Sequence, residues 1–198
     1  MCGGTNYFFA SSAKLVERDL PAPATLTRYT DEQAYAFALY VCSLRPPANP
    51  HVSTEQTKRG ETVFHREGCA VCHVPPLYTN NKLTPGGSFT VTEAHRKALD
   101  ILDVRVGTDA RSATVSLRGR GFYKVPSLRG VWYRGPFEHN GSVATLEDWF
   151  DSRRLRNDYV PSGFKGHGVK QRAIKGHEFG LMLSAEDKRA LIAFLRSL

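Results

Sequence analysis

Residues 68–73 read Gly68-Cys69-Ala70-Val71-Cys72-His73, two thiols separated by two residues with an imidazole directly after the second. Thiols at this spacing can each bond one of the two vinyl groups of a single porphyrin, while the adjacent imidazole reaches the iron from the same side. The run therefore predicts one covalently attached haem c, with Cys69 and Cys72 as attachment points and His73 as the proximal iron ligand. Two rival chemistries also use paired cysteines. A structural zinc site calls for a second pair of Cys or His ligands at comparable spacing, and the remaining cysteines, Cys2 and Cys42, are isolated. A thioredoxin-like redox pair calls for a βαβ setting, which the flanking sequence does not offer. Cys42 lies in a helical pattern and is expected to pack as a small hydrophobe.

Working outward, Ser53 to Glu67 reads as a helix leading into the motif, with Ser53 and Gln56 spaced as a capping box. Upstream, Thr30-Asp31-Glu32-Gln33 is a second capping box, and Phe37, Tyr40, Val41 and Leu44 recur beyond it at helical spacing. Arg45-Pro46-Pro47-Ala48-Asn49-Pro50 stops that helix and reads as a stiff linker. At the far end, Ser184 with Asp187 caps a helix whose Leu191, Phe194, Leu195 and Leu198 mark one face. Between His73 and Ser184 the chain is rich in Gly, Pro and Asn, with one further helix signalled by Thr145, Asp148, Trp149 and Phe150. Long irregular stretches in a compact domain usually enclose something, and haem is an adequate occupant. Ile101 to Val106 could pair locally, but no sheet is indicated. The expected class is all-α, a haem domain with long irregular loops.

The chain has 198 residues, of which 41% are hydrophobic, enough for one ordinary core but not two full domains. No stretch approaches the ~20 apolar residues that cross a bilayer, so no transmembrane segment is expected. The net charge is +8, and Arg153, Arg154, Arg156, Lys165, Lys170, Arg172 and Lys175 fall close together. No helix-turn-helix, zinc-finger or stacked-aromatic signature accompanies them, so nucleic acid is not the expected partner. These cations are expected to offset two haem propionates and to face an acidic redox partner. Haem of this type is attached outside the cytoplasm, which predicts a periplasmic or otherwise extracytoplasmic location. Met1 to Ala13 offers only Tyr7-Phe8-Phe9-Ala10 as an apolar core, with no basic residues before it, and does not read as a secretory signal. The expectation is a signal on a longer parent chain, or an internal start. Cys2 has no lipobox before it and is not read as lipidated.

With the haem motif, Lys124-Val125-Pro126-Ser127-Leu128-Arg129, Gly135-Pro136-Phe137 to Leu146, and the closing Ala193-Phe194-Leu195 helix in view, the chain resembles a known family. It resembles the C-terminal haem domain of the bacterial di-haem cytochrome c peroxidases and their MauG-like and rubber-oxygenase-like relatives. The resemblance implies a cytochrome c-like fold for residues 51–198. Ala38 to Arg45 resembles the closing helix Ala190 to Ser197, so residues 1–50 are expected to be the remnant of an upstream cytochrome c-like domain plus the Pro-rich linker. The division of labour in such enzymes implies that this chain is the electron-transfer half, relaying electrons to a peroxide-reducing haem. The implied partner is a redox protein or an upstream haem domain. A mono-haem electron shuttle and a fragment of a di-haem oxygenase are the alternatives. Whether the chain itself is an enzyme stays open, and no catalytic acid is assigned: Glu138 and Glu178 read as surface carboxylates.

The iron's second axial ligand sets its potential and reactivity. The family's peroxidases often place a methionine at the position that falls on Arg153 here, which cannot ligate iron. His177, flanked by Gly176 and Gly180 just before the closing helix, is the first choice, Met182 the second, and an open iron the third. The resemblance places His139 near the haem, in contact with a propionate. His51, His65, His95 and His167 read as solvated, and Tyr123, Trp132 and Tyr133 as candidates for the haem wall or the aromatic core.

Overall fold

The computed structural model describes residues 30–108, 121–164 and 175–198. The chain divides into two units, Met1–Ala48 and Asn49–Leu198. In the first, helix α1 (Asp31–Ser43) is started by the expected capping box: Thr30 Oγ1 accepts from the Gln33 N–H at 3.3 Å, and Gln33 Oε1 accepts from the Thr30 N–H at 2.9 Å. The anticipated apolar face is there in sequence but is not part of a core. Phe37, Tyr40, Val41 and Leu44 are all exposed, and no residue of α1 is buried. Cys42 is likewise exposed and disulfide-bonded, not packed as expected.

In the second unit, α2 (Glu55–Arg66) buries Thr57, Gly60, Val63 and Phe64, the i, i+3, i+4 stripe of an amphipathic helix. Its cap is Thr54, not Ser53. The Thr54 hydroxyl accepts from the Thr57 N–H, and the Thr57 hydroxyl accepts from the Thr54 N–H at 2.7 Å, so a threonine at the third helical position supplies the reciprocal bond. Strand β1 (Leu83–Pro85) and strand β2 (Phe122–Lys124) pair antiparallel in the register Leu83 to Lys124, Thr84 to Tyr123 and Pro85 to Phe122. Between them lies the short helix α3 (Glu93–Ala98). Neither the sheet nor α3 is indicated by the sequence pattern, because three-residue strands are too short to show alternation. At α3 the capping partner is a histidine: His95 Nδ1 accepts from the Thr92 N–H at 3.1 Å, and its ring lies half-buried between Phe89 and Phe122. His95 is therefore a structural residue, not a solvated one.

Helix α4 (Leu146–Trp149), capped by Thr145, and helix α5 (Ala185–Ser197), capped by Ser184, sit where the sequence predicts them. The core forms where α5 crosses α2, from Val63, Phe64, Leu191, Ile192, Phe194 and Leu195, with Val131, Leu146 and Phe150 closing it. Each fully covered side chain here contributes roughly 1.5–3 kcal/mol relative to exposure. The unit is mostly helical with one small sheet, the make-up of a cytochrome c-like domain. Among the described residues, no helix is long and apolar enough to cross a membrane.

On the outer side of the α2–α5 crossing, Asp187 takes Arg59 Nη2 on Oδ1 at 2.7 Å and Arg66 Nη2 on Oδ2 at 2.9 Å, and Arg59 also pairs with Glu186. Hydrogen bonds from Arg66 and Arg59 hold the Asp187 carboxyl below the usual carboxylate range. A folded value below the unfolded one means that this stabilisation is present above the unfolded value and is lost as pH falls through the folded one. Asp187→Asn is accordingly expected to lower the thermal midpoint at neutral pH. The difference from the parent protein should close in strong acid, as followed by circular dichroism melts across the carboxylate range.

Candidate haem site

Helix α2 is capped at Glu67, and Gly68 turns the chain with φ +75°, a left-handed conformation that glycine adopts without steric penalty at a helix C-terminus. A single 3-10 turn, Cys69–Val71, follows, closed by the His73 N–H donating to the Cys69 carbonyl at 2.9 Å. Cys69, Cys72 and His73 thus project from one tight turn anchored to the core helix. Both cysteines are free and half-buried. Burial, with the charge of Glu67 adding, pushes the Cys69 thiol up to about 11, and burial also raises Cys72. They are protonated thiols at neutral pH, unlike reactive redox cysteines, whose pKa is depressed. Among the described residues, no three His, Cys, Asp or Glu side chains are arranged to hold a metal ion by themselves.

The His73 ring is fixed from behind. Its Nδ1 lies 3.1 Å from the Tyr78 carbonyl and 3.1 Å from the Pro126 carbonyl. Carbonyls only accept, so the proton sits on Nδ1 and the Nε2 lone pair is available for a metal, the arrangement that orients ligating histidines. Burial lowers the His73 pKa against the opposing pull of those two hydrogen bonds, which keeps the ring neutral. The 74–80 loop is closed by Asn80 N–H to Cys72 O at 2.8 Å, and Pro126 is presented by the segment following β2. The sequence reading missed these two carbonyls, and only Pro126, inside Lys124 to Arg129, carried any signal.

His177 packs against the end of α4. Its ring stands edge-on to Trp149 at 5.2 Å and to Phe179 at 5.4 Å, and its Nδ1 is buried without a hydrogen-bond partner. The residue as a whole is half-buried, with Nδ1 covered. Burial, the neighbouring His73 imidazole and the Arg154 cation together depress it to about 4, so it too is a neutral imidazole under physiological conditions. An anchored imidazole with a free Nε2, and a second imidazole whose buried Nδ1 has no partner, are donors of the kind that axial haem ligation uses. These residues fit a c-type haem.

The remaining expectations fare differently. Met182 is 94% exposed, because Leu181 turns into the core and leaves its neighbour outside. It is not part of the core. His139 is exposed, stacked on Tyr123 at 5.4 Å with its Nδ1 3.4 Å from the Thr108 hydroxyl. Trp132 packs edge-on against Tyr133 and His51. Glu138 is not a surface carboxylate: its side chain is buried 4.0 Å from Arg154 Nη1 and against Gly176. Arg154 is not a surface cation either, being 0% exposed. Arg153 and Arg156 pair with Asp151 and Asp158. Of these three arginines, only Arg154 leaves the surface, and Arg153 and Arg156 stay exposed. Lys165, Lys170, Arg172 and His167 lie outside the described residues.

A mostly helical domain with this cysteine and histidine turn resembles a cytochrome c-like haem domain. Residues 121–160 match the family model described as RoxA-like, cytochrome c-like. Over 88 residues, 44% of this chain and 24% of the relative, the sequence is 32% identical to the cytochrome c551 peroxidase of Nitrosomonas europaea. Over 161 residues, 70% of this chain and 41% of the relative, it is 28% identical to the methylamine utilization protein MauG of Paracoccus denitrificans. A crystal structure of a MauG-like protein associated with microbial copper homeostasis aligns with 83% of this chain and 47% of its own, at 20% identity and a TM-score of 0.41. The chain resembles the RoxA-like, cytochrome c peroxidase and MauG group, and that resemblance implies a c-type haem. It spans less than half the length of each of these relatives.

Proposed function

We propose that residues 51–198 are the electron-transfer haem domain of a di-haem, peroxidase-like oxidoreductase of the periplasm. In this reading residues 1–50 are the tail of an upstream haem domain and its linker. Cys69 and Cys72 hold one haem c by thioether bonds, His73 is the proximal ligand and His177 the distal one. When bound, the haem supplies a one-electron ferric–ferrous couple, while this chain's residues fix both axial positions and exclude water. One observation carries the reading: His73 is held on two carbonyls beside two free thiols of the same turn, and the buried Nδ1 of His177 has no hydrogen-bond partner. With haem bound, His73 and His177 would supply the two axial nitrogens, a ligand set that would suit transfer of electrons and leave peroxide no open position. A mono-haem shuttle is the second reading, favoured by the single Cys-x-x-Cys-His motif in this sequence.

The axial arrangement is tested on haem-loaded protein with carbon monoxide. Ferrous wild-type protein is expected to be low-spin and to bind carbon monoxide poorly, and His177→Ala to bind it readily. Ready binding by the wild type contradicts the closed site. Peroxide-dependent turnover by this chain alone contradicts the relay role, whereas fast one-electron exchange with a small inorganic acceptor and no peroxide turnover supports it.

A further inference from the structure

Arg154 lies in the 3-10 turn Ser152–Leu155 that follows α4. Asp151 holds the neighbouring Arg153 outside, through Nε and the backbone N–H, and Arg154 turns inward to complete burial. Its guanidinium bridges the end of α4 and the segment that carries His177. Nε donates to the Trp149 carbonyl at 2.6 Å, and Nη2 donates to the carbonyl of His177 itself at 2.6 Å. The cation also sits 5.2 Å from the centroid of the Trp149 ring, the ring that stands edge-on to His177. Nη1 makes no hydrogen bond, and Glu138 Oε1 stands 4.0 Å away, beyond hydrogen-bond reach.

This is a costly place for a charge, since two carbonyls and a ring compensate an arginine less well than a contacting carboxylate does. It does two things for His177. The fork fixes the backbone carrying the imidazole, and the fixed positive charge is bonded to that residue's own carbonyl and sits by the Trp149 ring that packs edge-on to the imidazole. Adding one electron to the site lowers its charge by one unit, and a nearby cation in a poorly screened interior favours the lower-charge state.

We infer that Arg154 is a positioning residue for His177 and the fixed cation that biases the site toward its ferrous state, an inference that rests on His177 being the distal ligand. Glu138, on the far side of the guanidinium, opposes that bias.

The test is a potentiometric titration, with one-electron mediators, of haem-loaded wild type, Arg154→Met, Arg154→Lys and Glu138→Gln, with the ferric spectrum recorded alongside. Arg154→Met is expected to shift the ferric–ferrous equilibrium about tenfold toward ferric, which is 59 mV for one electron. Arg154→Lys, which keeps the charge, is expected to restore most of the potential while leaving the spectrum perturbed, and Glu138→Gln to shift the equilibrium the other way. An unchanged potential in Arg154→Met overturns the inference, as does a lysine variant displaced as far as the methionine one. If Arg154→Met does not mature, Glu138→Gln decides, and no shift toward ferrous overturns the inference. Ready carbon monoxide binding by the wild type sinks the His177 reading itself, whereas a closed wild-type site with unresponsive variants sinks only the role of Arg154.

Discussion

Replacing Cys69 and Cys72 together with alanine is expected to abolish covalent haem. No haem absorbance should remain with the polypeptide after denaturation and acid–organic extraction, whereas the parent protein retains all of it. Each thiol supplies one thioether, so either single variant keeps one bond and is expected to mature at reduced yield. The double variant keeps none. His73 survives in it with its Tyr78 and Pro126 hydrogen bonds, so non-covalent haem binding through iron remains available. The loss is therefore of the tether and not of the fold. Cys69 and Cys72 are only half-buried and close no disulfide, and truncating them removes little packing. Far-ultraviolet circular dichroism of the double variant should match that of the haem-free parent protein. Haem retained through denaturation in this variant contradicts the assignment of both attachment points.

The second large effect is expected at Gly60, where the two core helices cross. A β-carbon there would lie 2.0 Å from the Ala190 carbonyl oxygen and 2.6 Å from Phe194 Cβ. The first obstacle is backbone, so relief requires α5 to move away from α2 and to open contacts around Phe64 and Leu191. Overpacking of this kind costs typically up to about 3 kcal/mol. Alanine's better helix propensity returns about 1 kcal/mol. The net loss for Gly60→Ala is about 2 kcal/mol, read as a fall in thermal midpoint of roughly 4–8 °C for a unit of this size. Gly68→Ala is the control: nothing lies within 4 Å of its added carbon, and only the φ of +75° penalises it, at about 1–2 kcal/mol. A Gly60→Ala protein as stable as the parent contradicts the close helix crossing.

The features legible in the sequence are those in which a side chain states its own role. The caps at Thr30, Thr145 and Ser184 and the buried face of α5 follow from local hydrogen bonding and the helical period. Cys69, Cys72 and His73 announce themselves by spacing. At α2 both Ser53 and Thr54 are competent caps, and the choice fell to Thr54 because Thr57 returns its bond. What the sequence hid depends on tertiary partners. The carbonyls that orient His73 belong to Tyr78 and Pro126 and would be equally present with other side chains at those positions. Arg154 lies among arginines that face water, and only the carbonyls of Trp149 and His177 distinguish it. The apolar spacing along α1 predicts a buried face, yet periodicity reports only that a helix has two faces and cannot say that a core covers one of them.

The most direct measurement is the intact mass of wild-type protein from a host able to attach c-type haem, taken under denaturing conditions together with its absorbance. A polypeptide heavier by one haem, with Soret absorbance that stays with the unfolded chain, is the predicted result. The bare polypeptide mass with no Soret band, from a host that loads a control c-type cytochrome in the same preparation, contradicts it.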